Sequence, residues 1–107
     1  MSLDVSLFAV RKTCVFDANI THNLIDMATM AGIYDACWQP NAICVKTAKD
    51  IIPLLEEGLR KLKERPGYFR QFDSPNGWGK YENFVLWVER YLVACKENPD
   101  AEIQVSK

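Results

Sequence analysis

The chain has few of the residues that mark an active or metal site. It contains one histidine, His22, and its four cysteines, Cys14, Cys37, Cys44 and Cys95, include no Cys-x-x-Cys pair. Structural zinc needs several thiolate or imidazole ligands at short, regular spacings, so neither zinc nor any other cofactor is expected. The glycine-rich phosphate loop, the dinucleotide fingerprint and the nucleophile elbow are all absent. Charge of one sign is lacking too: 13 basic residues face 14 acidic ones, for a formal net charge of -1. That balance gives no general attraction for nucleic acid or an anionic membrane, so neither is expected as a partner. No apolar run approaches the roughly 18 residues of a membrane span. Met1 to Val5 carries no basic residue and leads into alternation, which is not a signal-peptide pattern. The expectation is a cytoplasmic protein whose four thiols are buried or half-buried and unpaired.

What remains is the composition of one ordinary domain spanning residues 1–107, with 49% apolar and 25% charged residues. Leu3, Val5, Leu7 and Ala9 alternate with mainly polar residues, the period of a half-buried strand. Beyond Arg11 and Lys12 the apolar parity moves to Cys14, Phe16, Ala18 and Ile20, which means either a hairpin or a bulge. At the other end Ala101, Ile103 and Val105 alternate after the turn residues Asn98, Pro99 and Asp100, so a terminal strand should pair with the first.

Between the strands the period is helical. Ile20, Leu24, Met27, Ala28 and Ala31 form one stripe, with Asn19 or Thr21 as N-cap and Gly32 at the end. A weaker turn covers Ile33 to Trp38 and stops before Pro40. A second helix opens at the capping pair Thr47 and Asp50, buries Ile51, Leu55, Gly58, Leu59 and Leu62, and runs to about Arg65; Pro53 implies a later start or a bend. Pro66 to Phe72 reads as a one-turn connector and Asp73 to Gly79 as a loop. A third helix follows, carried by Tyr81, Phe84, Val85, Val88, Tyr91, Leu92 and Cys95, while Leu86, Trp87 and Val93 add a second apolar face that must meet either the strands or a second copy. The fold class that results is α+β: a small antiparallel sheet formed by the chain ends, with three main helices packed on one face.

Two segments carry the polar groups worth weighing. Asn19, Thr21, His22 and Asn23 stand where an extended segment enters a helix, whose exposed amides and partial positive charge hold anions. Simple capping by Asn19 or Thr21 explains the same residues. His22 is the one side chain with an unperturbed pKa near neutrality, so it is the default proton-transfer group, with Asp17, Asp26 or Tyr81 to orient it. The loop Asn76-Gly77-Trp78-Gly79 with Lys80 and Tyr81 places an indole between two glycines, as a cover for a flat ligand, with Lys80 to meet negative charge. Trp78, like Trp38, has the alternative of folding into the core. Arg60, Lys61, Lys63 and Arg65 alternate with Glu56, Glu57 and Glu64 at ion-pair spacing and read as a solvated helix face.

The segments Asn19-Ile20-Thr21-His22-Asn23-Leu24, Ala31-Gly32-Ile33-Tyr34, Asn76-Gly77-Trp78-Gly79-Lys80-Tyr81 and Ala94-Cys95-Lys96-Glu97-Asn98-Pro99-Asp100-Ala101 resemble a family of small uncharacterised proteins found in bacteriophages and bacterial genomes. The similarity spans most of the chain from about residue 15. It implies a setting, that of a phage or mobile-element accessory protein that counters host defence, and supplies no activity, cofactor or site residue.

Three functions are therefore expected, in order. The first is a non-enzymatic binding protein whose Asn19, Thr21, His22, Asn23, Trp78, Lys80 and Tyr81 capture a small anionic or nucleotide-like ligand. The second is a protein-interaction module or inhibitor of a host factor, a dimer or other homo-oligomer, anchored by Trp87 and Tyr91. The third is a small enzyme using His22 as general acid or base.

Overall fold

The N-terminal strand becomes the middle of the sheet. In the computed structural model, which describes residues 2–9, 14–43, 45–73 and 79–106, β1 (Ser2–Phe8) lies between β2 (Cys14–Thr21) and β3 (Glu102–Ser106), antiparallel to both. Leu3, Val5 and Leu7 are fully buried. Their cross-strand neighbours on the same face are Ile20, Ala18 and Phe16 from β2 and Val105 and Ile103 from β3. Alternation thus gives the sheet one apolar side, and every helix that covers it is supplied by the intervening chain.

β1 and β2 are consecutive antiparallel neighbours, hence a hairpin, and a bulge is present as well. Leu7 faces Phe16 while Phe8 faces Cys14, so Val15 has no opposite residue. Arg11 and Lys12, where the parity change falls in the sequence, lie outside the described residues.

Five α-helices follow: α1 (Ile25–Met30), α2 (Tyr34–Trp38), α3 (Ala48–Glu64), α4 (Pro66–Arg70) and α5 (Tyr81–Glu97). The three that the sequence marks are α1, α3 and α5; α2 and α4 are five-residue turns. Ile20, which its spacing places both on the second strand and on the first helix, belongs to β2, and a 3-10 turn at His22–Leu24 joins that strand to α1. Gly32, at φ 79°, ends the turn after α1 in a conformation costly for any residue with a Cβ.

α3 begins at Ala48 and continues through Pro53 to Glu64, so the proline neither delays nor ends it. The first turn is held from outside. The Ala48 and Lys49 amides donate to the carbonyls of Ala101 and Pro99 at 2.9 Å each, and the Thr47 hydroxyl donates to the Asp50 carboxylate at 3.0 Å. These bonds satisfy helix-start donors that otherwise have no partner. The same stretch covers the start of β3, where Ile103 N–H donates to the Lys46 carbonyl at 3.0 Å and Thr47 bridges Glu102.

α3 and α5 lie antiparallel, as the ion pairs Glu56–Lys96 and Lys63–Glu89 show by running in opposite chain directions. Both pairs are exposed and contribute at most about 1 kcal/mol each. Burial of Ile51, Leu55, Leu62, Phe84, Val88 and Tyr91 is the larger effect. Gly58 is where α3 comes closest to Ile33; a Cβ there would overlap the isoleucine side chain.

Candidate functional site

The junction of β2 and α1 is assembled by its own sequence. Thr21 is extended, at φ -70° and ψ 144°, and its Oγ1 accepts the Asn23 N–H at 3.2 Å, the capping role open to it from the sequence. His22 is half-buried, and its Nδ1 accepts the Trp38 Nε1–H at 2.8 Å. A nitrogen that accepts carries no hydrogen, so the ring is the Nε2–H tautomer. Trp38 is almost fully buried and its ring stacks on Tyr34, which settles it as a core residue.

The second sequence segment does reach this junction. Gly79 adopts φ 119°, and a Cβ on it would come within 3.2 Å of Thr21, Asn23 and Leu24. Thr21, Asn23 and Leu24 therefore stand beside Gly79, whereas Asn19 lines a groove with Asn83 and Arg90. Trp78, the expected ligand cover, lies outside the described residues together with Asn76 and Gly77. Tyr81 is not available to a ligand: it is buried and its hydroxyl donates to the Leu62 carbonyl at 2.7 Å, tying α5 to α3.

An anion at the start of α5 already exists within the chain. The Asp73 carboxylate accepts the Tyr81 N–H at 2.7 Å, where a bound phosphate would otherwise sit. Lys80 is exposed and its charge helps hold the Glu82 carboxyl below the usual range, after a backbone hydrogen bond and the Arg70 guanidinium. Among the described residues, neither Asp17, Asp26 nor Tyr81 hydrogen-bonds to His22; Asp17 accepts from the Ser6 hydroxyl at 3.2 Å. No three His, Cys, Asp or Glu side chains come together among the described residues as a metal ligand set.

The open surface lies elsewhere, along β2 and α5. A groove of about 390 Å³ is lined by every residue from Phe16 to Ile20 and by Asn83, Leu86, Trp87 and Arg90. Successive strand residues point to opposite faces. A groove lined by five consecutive ones therefore runs along the side of β2 that faces away from β1. It adjoins a second hollow of about 430 Å³, bordered by Val15, Phe16, Leu86, Arg90, Val93 and Glu97 among others. Together they run from Ile20 and Asn83 at one end to Val15 and Val93 at the other, which sets α5 antiparallel to β2.

Val15 at 41%, Leu86 at 50% and Val93 at 53% exposure make this face apolar on both walls. Beneath it an aromatic series joins helix to strand: Phe84 on Trp87, Trp87 on Tyr91, and Tyr91 stacked at 6.0 Å on Phe16. Trp87 Nε1 and the Tyr91 hydroxyl are buried with no hydrogen-bond partner among the described residues. Tyr91, expected as an exposed interface anchor, is fully buried, and Trp87 is nearly so. Both fill the seam because β2 arches over the second apolar face of α5; the residues left outside are Leu86 and Val93. Burial pushes the Tyr91 hydroxyl pKa up, along with that of Cys37, and raises Cys95 to about 12. Cys37 and Cys95 are inert core thiols, whereas Cys14 is exposed, contrary to the expectation of burial, because it stands at the bulged end of an edge strand. Cys44 lies outside the described residues.

Sequence reasoning missed the groove because its signal is shared between distant segments. The alternation at 14–20 and the surplus apolar positions at 86 and 93 were each legible, but nothing in the sequence says which strand edge stays open. No family model matches the chain, and neither a curated protein nor a solved structure is detectably similar to it.

Proposed function

We propose that the protein is a non-enzymatic binding module that docks an extended segment of another polypeptide along the β2 edge. The observation that carries this reading is the groove lined by five consecutive β2 residues and flanked by exposed Leu86. Edge amides and carbonyls recognise an extended backbone, and apolar walls select alternate side chains. A phage or mobile-element setting, expected from the sequence segments alone, would suit an accessory protein acting on a host factor. Panning a library of displayed ten-residue peptides tests the reading. Enrichment of extended, alternately apolar sequences is expected, with binding lost on Leu86→Arg. No enrichment, or binding indifferent to that substitution, would contradict it.

One observation favours a second reading, capture of a small anionic ligand. Arg90 makes no ion pair with a described residue and lines the edge groove with Asn19 and Asn83. A nucleotide or carboxylate there would meet the Arg90 guanidinium and the Asn83 amide. The site moves away from His22, whose acceptor nitrogen Trp38 occupies. A thermal-shift series with nucleotides on wild type and Arg90→Gln checks it: stabilisation of the wild type alone supports it, and no shift in either removes it.

A further inference from the structure

The basic run at the end of α3 is divided by the fold into paired and unpaired cations. The Arg60 guanidinium takes the carboxylates of both Glu57 and Glu64, the latter at 2.7 Å, and Lys63 pairs with Glu89 of α5 at 3.4 Å. Spacing alone would offer Glu57 to Lys61, but that carboxylate turns to Arg60. Lys61 and Arg65 are left with no ion pair to a described residue. They stand one turn apart, the Arg65 N–H donating to the Lys61 carbonyl at 3.3 Å, so two like charges project close together. Both line one cavity of about 360 Å³, with Met30, Glu64, Tyr68 and Phe69.

The rest of the lining is largely apolar. Met30 and Tyr68 are exposed, Phe69 is buried, and Tyr68 is held by edge contacts to Phe69 at 5.1 Å and Phe72 at 5.7 Å. The Lys61 ammonium comes within 3.3 Å of the place a Cβ would take on Gly32, so its side chain reaches from α3 to the turn that follows Met30. Glu64, the one acid in the lining, is already neutralised by Arg60.

We propose that this cavity binds a nucleoside monophosphate, with the phosphate between Lys61 and Arg65 and the base against Tyr68 and Met30. A phosphate monoester carries about -1.5 to -2 charge at pH 7, which matches two unpaired cations as a single carboxylate does not. Arg65 can meet it with two parallel donors, and Lys61 adds a point charge. A flat base offers its face to the phenol ring and to the polarisable thioether. The volume lies near the lower end of the range for small-ligand sites, roughly 300–1,000 Å³, and suits one nucleotide. The cavity shares no lining residue with the hollows beside β2, so it goes beyond the docking reading and does not rest on it.

Residue-resolved NMR titration of the full chain with the 5′-monophosphates of adenosine, guanosine, cytidine and uridine tests this. Inorganic phosphate, the four unphosphorylated nucleosides and a phosphotyrosine peptide are separate arms. At least one nucleotide should shift the amides of Met30, Gly32, Lys61, Arg65 and Tyr68 saturably at millimolar concentration, and its nucleoside should bind far more weakly. Lys61→Gln and Arg65→Gln should each weaken binding about tenfold, the loss of one charge-assisted contact. Lys63→Gln removes the same charge outside the cavity and should change affinity by no more than about twofold. Tyr68→Leu should weaken the nucleotide and leave the response to inorganic phosphate as it was. All four side chains are exposed, so the fold should survive each change, which the remaining amide shifts report. No saturable shift with any nucleotide, shifts gathered at Asn83 and Arg90 instead, or affinity indifferent to both Lys61→Gln and Arg65→Gln would overturn the proposal. So would a nucleoside or inorganic phosphate that binds as well as the nucleotide, the latter marking an adventitious ion only, or a phosphotyrosine peptide that binds in place of all four nucleotides. Such a failure leaves the docking reading standing, and a failure of peptide panning leaves this site standing.

Discussion

His22 shows how a residue type can mislead when its neighbours are unknown. Its Nδ1 is the acceptor for a buried indole, so His22→Ala should leave the Trp38 N–H unpaired and lower unfolding free energy by about 1–3 kcal/mol. Denaturant unfolding measures this; unchanged stability would show that the bond contributes nothing. Tyr91 is the converse case. Its hydroxyl is already buried without a partner, so Tyr91→Phe should be neutral or stabilising, by up to about 1–3 kcal/mol, in the same assay. Loss of stability would reveal a partner for that hydroxyl.

Two exposed carboxylates contribute a small acid-dependent part of the stability. The Arg60 guanidinium, donating to Glu57, holds that carboxyl below its ordinary value, and Glu82 is lowered first by a backbone hydrogen bond and then by Arg70. A folded-state pKa below the unfolded one contributes stability above the unfolded value and loses it as pH falls through the folded value. The melting temperature should therefore drop between about pH 5 and pH 3, and by less in high salt, because these pairs are solvent-exposed. A melting temperature that is flat or rises across that interval would contradict the assignment.

At the scale of elements, periodicity was readable wherever one chain segment decides its own fate. The alternation of Leu3, Val5 and Leu7, the α5 stripe and the stop at Gly32 are local consequences of one buried face, and the structure has all of them. Ile20 fits both stripes because strand and helix periods overlap at a junction, and the structure keeps only its place in the strand. Pro53, which implied a later start or a bend, does not delay α3, because the bonds that secure its first turn come from Pro99 and Ala101, half the chain away. Pro53→Ala should restore a helical donor without touching those bonds and raise stability by about 1–3 kcal/mol. A neutral or destabilising result in thermal unfolding would show that the proline ring makes a compensating contact.

At the scale of the whole molecule, the arrangement β2-β1-β3 puts the first strand in the centre and leaves β2 outermost. Its neighbour α5 reaches from Asn83 beside Ile20 to Val93 beside Val15, so the open edge has an apolar wall along its length. Among the described residues no helix is long and apolar enough to cross a membrane. Of the residues singled out from sequence at 19–23, Thr21 and Asn23 lie beside Gly79, and polar groups there are already engaged within the chain, Thr21 Oγ1 accepting the Asn23 N–H and His22 Nδ1 accepting the Trp38 N–H. Which surface remained free depended on which groups had satisfied one another, and that is a property of the assembled fold.

Residue-resolved amide hydrogen exchange on β2 tests the central claim, that this edge is where an extended chain docks. The Asp17 amide, which faces away from β1, should exchange quickly in the free protein and slow at least tenfold when a selected peptide fills the groove. Leu86→Arg should abolish that protection while leaving the amides of β1 as slow as before. Exchange along β2 that ignores the peptide, with any new protection appearing elsewhere on the surface, would contradict the account.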